Sequence, residues 1–189
     1  MRSTLIKILI IVAGISILYI SLTRAGLEKL IQDEQQDKLR KIPVTFEWVN
    51  SRGEKQEGRY KFPETTTLPT NPLYFLKKMR DELWIVLTNN PIDKARVIML
   101  ITDKRMEEAM ILNGRNANPN LIAKTINSSL EKMTESNEII KDLRPIDKKE
   151  FKQTWCQEFL AYRWIINSLK ISDTDKMIIF GKMTKLDER

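Results

Sequence analysis

Asparagine is followed by proline at Asn71-Pro72, Asn90-Pro91 and Asn118-Pro119. Few backbone paths accept that pair. Proline fixes φ near −65° and has no amide hydrogen, so it suits the first position of a helix, where that hydrogen would lack a partner. The asparagine before it can accept a hydrogen bond from the first turn. Each pair therefore predicts a helix start and forbids a helix running through it. The first helix is expected over Pro72 to Asn89 and the second over Pro91 to Asn113, with Gly114 in the left-handed position after its end. The third should run from Pro119 to about Asp142. After Pro145, Asp147 and Glu150 read as a capping arrangement for a fourth helix ending near Lys170, and Ser172-Asp173 opens a short fifth. Loops this short make successive helices antiparallel neighbours, so residues 71–189 predict an antiparallel bundle of four to five helices.

Projection at 100° per residue gives each helix an apolar stripe. The first carries Leu73, Leu76, Met79, Leu83, Val86 and Leu87; the second Ile98, Ile101, Met106, Ala109 and Leu112. Ile122, Ile126, Leu130, Met133 and Ile140 follow on the third, then Phe151, Trp155, Tyr162, Ile165, Ile166 and Leu169 on the fourth. All four stripes are expected to face one core. Arg80, Arg105 and Glu158 interrupt them. A buried charge without a partner costs several kcal/mol, so one expectation pairs Glu158 across the bundle with Arg80 or Arg105. The other leaves the arginines at stripe edges with their heads in water.

Residues 1–70 read differently. Leu5 to Leu22 is apolar apart from Lys7, a few small residues and Tyr19, and 18 residues of helix cover about 27 Å, the thickness of a bilayer core. Residues 1–25 are therefore expected to form a single-pass transmembrane anchor in contact with the lipid bilayer. A cleaved signal peptide ending near Ala25 is the alternative. Helical spacing continues at Leu27, Leu30, Ile31 and Leu39 into a juxtamembrane helix ended by Pro43. Alternating large groups then suggest a small β-hairpin, with Val44, Phe46 and Trp48 facing Tyr60 and Phe62. Residues 63–70, PETTTLPT, read as an extended connector holding the bundle away from the membrane.

Composition narrows the chemistry. The chain has no histidine and one cysteine, Cys156, so a Cys/His zinc site and Ser-His-Asp or Cys-His catalysis cannot be assembled within it. Cys156, between Trp155 and Phe159, is expected to pack. The net charge of +7 is scattered among acids rather than gathered in a stripe, which argues against a nucleic-acid partner. No catalytic residue, cofactor site or metal site is expected.

The stretch from Leu68 to Ala109 resembles a family of uncharacterised bacterial proteins with an N-terminal membrane segment, a Pro-rich spacer and a helical domain. The resemblance is carried by Leu68, Pro69, Pro72, Tyr74, Leu76, Lys77, Asp81, Leu83, Leu87, Thr88, Pro91, Lys94, Ala95, Asp103, Lys104, Arg105, Glu108 and Ala109. It implies an anchored, extracytoplasmic helical module and supplies no catalytic residue. Lys104 and Glu108 are spaced for an i,i+4 contact. The expected function is a membrane-anchored scaffold or protein-interaction module with an unknown protein partner, for which Trp48 and Trp164 are candidate contacts unless packing accounts for both. The alternatives are a cytoplasm-facing regulatory bundle and a solute- or metal-binding bundle.

Overall fold

The computed structural model describes residues 41–49, 52–65 and 67–187; the expected anchor and juxtamembrane helix lie outside the described residues. Two strands, β1 (Lys41–Val49) and β2 (Lys55–Pro63), precede five helices: α1 (Tyr74–Leu87), α2 (Pro91–Gly114), α3 (Pro119–Lys141), α4 (Pro145–Ser168) and α5 (Asp173–Asp187). The fold is mainly helical with a two-stranded antiparallel hairpin. No helix among the described residues is long and apolar enough to cross a membrane.

The asparagines cap as their sequence predicts in two places. Asn90 accepts from the Ile92 amide and Asn118 from the Asn120 amide, each at 2.9 Å. At Asn71 the same chemistry acts one step early: its Oδ1 accepts from the Leu73 amide at 2.8 Å in a turn, and α1 begins at Tyr74 without a side-chain cap. α2 ends differently from expectation, because Gly114 is still helical. Asn116, at φ 51°, is the left-handed residue. The Ala117 amide reaches back to the Leu112 carbonyl at 2.9 Å and the Asn116 amide to Asn113 at 3.1 Å, which closes a Schellman turn. Asparagine tolerates that φ better than most side chains. α4 starts at Pro145, where Arg144 donates to Asp147 at 2.9 Å. α5 is longer than expected, opened by Ser172, which accepts from the Asp175 amide and donates to its carboxylate.

The hairpin is also longer than its sequence suggested. Pro43 lies inside β1 opposite Lys61 rather than ending a helix; both strands of a two-stranded sheet have an open edge, where proline is tolerated. Val44 stands opposite Tyr60, Phe46 opposite Gly58 and Trp48 opposite Gln56, so the aromatics share one face as expected. Gly58 has a steric reason. A Cβ there would stand 2.6 Å from the Phe46 ring and 2.7 Å from that of Trp48. The hairpin lays Phe46 and Phe62 into the main core, where Phe62 stacks on Tyr162 at 5.9 Å between centroids. That core also contains Met106, Ala109 and Leu112 of α2, Ile122, Ile126, Leu130 and Met133 of α3, Ile165 and Ile166 of α4, and Ile179 and Met183 of α5.

The PETTTLPT segment is no spacer. Leu68 is buried, Thr65 bonds Glu108, and the Thr67 carbonyl accepts from Lys77. Cys156 is exposed rather than packed.

Candidate interaction site on helix α1

α1 sits on the bundle with its polar face inward. Tyr74 donates to one Glu108 oxygen at 2.5 Å, and Lys77 forms an ion pair with the other. Lys77 also donates to the Thr65 hydroxyl at 2.6 Å, and its ammonium lies 5.7 Å from the Tyr74 ring centroid. Asp81 is buried. Glu82 reaches Lys132 of α3 at 2.8 Å and Arg105 of α2 at 3.6 Å. Apolar attachment is small by comparison: Ile85, joined by Trp84, packs against Val97, Ile98 and Ile101.

The opposite face of α1 is the apolar one, and it is open. Leu73, Phe75, Leu76, Met79, Leu83 and Val86 are between 40% and 68% exposed. At 100° per residue Phe75, Val86, Met79, Leu83 and Leu76 fall in an arc of about 100°, on the side away from Lys77, Asp81 and Ile85. Five of the six residues assigned to the first core stripe therefore point outward, while Leu87 is half-buried. The physical reason is that α2 presents buried acids at this position. Glu108, fully buried, is satisfied by a face carrying Lys77 and Tyr74 and could not be satisfied by leucines.

The other two breaks in the stripes resolve separately. Arg80 is bound through Nε and Nη2 to its neighbour Asp81, with its side chain 52% exposed. Arg105 is buried and donates to the Ser128 carbonyl and hydroxyl at 2.9 and 2.8 Å. Neither pairs with Glu158. That carboxylate, fully buried on α4, has no hydrogen-bond partner among the described residues. The expected cross-bundle pair is thus corrected: Arg80 is held by Asp81 and Arg105 by Ser128. Burial first, and the charge of Asp103 second, hold the Glu158 carboxyl well above the usual carboxylate range. Asp103 is itself engaged by the hydroxyls of Tyr60 at 2.9 Å and Tyr162 at 3.0 Å, which bolts the hairpin to α2 and α4. Burial, then the Asp103 and Glu158 charges, push both phenols far up. Glu107 is a second buried acid, its oxygens without a close hydrogen bond among the described residues, raised to about 7 by burial and by Glu64 and Glu108, against the weaker pull of the Thr65 backbone amide and of Lys77.

Beside α1 a groove of about 340 Å³ is lined by Lys78, Glu82, Arg105, Ser128, Glu131, Lys132 and Glu135, a balanced set of charges already largely bonded to one another. Among the described residues no group of three or more Cys, Asp or Glu is placed to hold a metal ion. Trp48 is half-buried, tilted against Phe46 at 5.4 Å, and packs on the main core. Trp164 is 42% exposed on α4. Neither approaches the exposure of the α1 row taken together, which sequence reading missed because it took every stripe to face inward. Tyr74, Lys77 and Glu108, singled out by the resemblance, were the available signal: the structure joins all three. Glu108 turns to Lys77 rather than to Lys104.

A mainly helical domain carrying one helix with its polar face turned inward is, as a class, a helical module. Residues 66–168, a span that takes in the buried Leu68 and runs through α4, match DUF5667, a domain of unknown function. The chain belongs to that family. The hairpin and α5 lie outside the matched residues. No curated protein and no solved structure matches the chain.

Proposed function

We propose that the chain is a membrane-anchored protein-interaction module, its bundle on the extracytoplasmic side, and that its contact surface is the outward face of α1. That face takes the apolar stripe of a helix from another polypeptide. The carrying observation is the row of five large apolar side chains, Phe75, Leu76, Met79, Leu83 and Val86, at 40–68% exposure on a helix whose polar face is turned inward. Contiguous apolar patches of several hundred Å² mark interaction sites on soluble surfaces. Helix-in-groove recognition uses anchors at this i, i+3, i+7 spacing. The anchor is the apolar run Leu5 to Leu22, which the composition supports. A reporter fused after Arg189 tests the side of the membrane; activity only on the cytoplasmic side overturns that part.

The docking face is tested with single cysteines at Met79 or Val86 in full-length Cys156→Ser protein, the exposed Cys156 of the separately prepared unaltered chain serving as the reactivity standard. Expected is protection from a maleimide in the native membrane and Cys156-like reactivity when the purified chain is reconstituted at one copy per vesicle. Full reactivity in both settings overturns the reading. So does protection in both, since lipid would then be the cover.

A further inference from the structure

Resting on that reading of the α1 face, we infer that the helix it receives is α1 of a second copy of this chain. Leu76, Met79, Leu83 and Val86 are spaced three, four and three residues apart, the a/d spacing by which a row closes against an identical row. A two-fold contact needs such a self-complementary patch and nothing else. The rim charges agree. Arg80 is bound by its own Asp81, and Glu82 by its own Lys132 and Arg105, so each copy arrives with these charges already neutralised. No cluster of one sign borders the row to demand a foreign partner of the opposite sign.

Size decides between a copy and a soluble partner. The row from Leu76 to Val86 is about 15 Å long at 1.5 Å per residue. It offers four side chains, with Phe75 beside them, against roughly 20–30 residues a side in a standard interface. Contact through this face alone is therefore weak in dilute solution and requires high local concentration. Two copies tethered in one bilayer have that concentration by construction, and a soluble protein does not.

The test uses purified full-length Cys156→Ser protein carrying Met79→Cys or, separately, Leu83→Cys, reconstituted without other proteins and treated with a short bismaleimide that spans parallel or antiparallel pairing. Expected is a covalent species of twice the chain mass at many copies per vesicle. It should fall by about tenfold at one copy per vesicle, and by about tenfold on adding Val86→Lys, one decade in the association constant. Val86 is 68% exposed, and an unchanged melting temperature verifies that this substitution leaves the bundle folded. Absence of the cross-link at many copies, or a cross-link indifferent to Val86→Lys, overturns the inference. If the cysteines are protected in the native membrane and the purified chain still fails to cross-link, the cover is a different protein. The docking reading then stands and the second copy does not.

Discussion

At the scale of single residues, α2 shows how differently three buried carboxylates of one helix can be treated. Glu108 receives an ammonium and a phenol, Asp103 two phenols, and Glu107 no close hydrogen bond from the described residues. Removing a partner from a buried ion pair leaves an uncompensated charge, which costs about 3–5 kcal/mol. Glu108→Gln is therefore expected to destabilise the fold by that order, read as a lower urea midpoint, because Lys77 stays in a site where its side chain is only 11% exposed. Combining it with Lys77→Met should recover part of the loss. Glu158 predicts the opposite sign. Its carboxyl is buried without a hydrogen bond, and replacing an unsatisfied polar group by an apolar one of similar volume removes a penalty of about 1–3 kcal/mol. Glu158→Met is expected to raise the urea midpoint at pH 7.5; a drop would mean that the carboxyl has a stabilising partner in solution.

At the scale of elements, helix starts and the hairpin face were legible because their causes are local. An asparagine cap, a proline at the first helical position and alternation in a strand act within a few residues. The orientation of α1 was not legible. Periodicity tells which side chains share a face, and inward apolar faces are the usual outcome. Here the choice is made by Glu108, thirty-odd positions away, and by Thr65 in a segment that reads as a spacer. The same limit hid the partners of Arg105 and Glu158: projection placed them on the stripes and could not say what stands opposite. At the hairpin a non-local contact also fixes one small residue. Gly58 gives its space to the rings of Phe46 and Trp48, whose atoms would lie within 2.9 Å of an added Cβ. Those rings are held by the main core, so Gly58→Ala should force them to shift and cost about 1–3 kcal/mol. The expected observation is a lower melting temperature with red-shifted Trp48 emission. An unchanged protein would mean that the rings move freely.

The described residues join a main apolar core and two smaller clusters to a belt of acids buried around α2, and this combination sets how stability responds to pH. Glu107 is ordinarily a carboxyl of pKa near 4.5 and is pushed up to about 7 in the fold. An acid whose folded value exceeds its unfolded value binds more protons folded than unfolded across the interval between them, so stability falls as pH rises there. The contribution of Glu107 is thus complete below about 4.5 and is lost by the time pH passes about 7. Glu158 shifts in the same direction and adds a loss of the same sign. The chain's other acids titrate over the same range, so the melting temperature of the unaltered chain alone does not isolate the effect. The difference between the chain and Glu107→Gln does. That variant carries no titrating group at the position, and every other acid is common to both. The melting temperature of the chain minus that of the variant is expected to decline by several degrees between pH 4.5 and 8, given about 2–4 °C per kcal/mol for a domain of this size. A difference that stays flat, or rises with pH, would mean that the Glu107 carboxylate is solvated or paired in solution and that the acid belt is less dry than its burial implies.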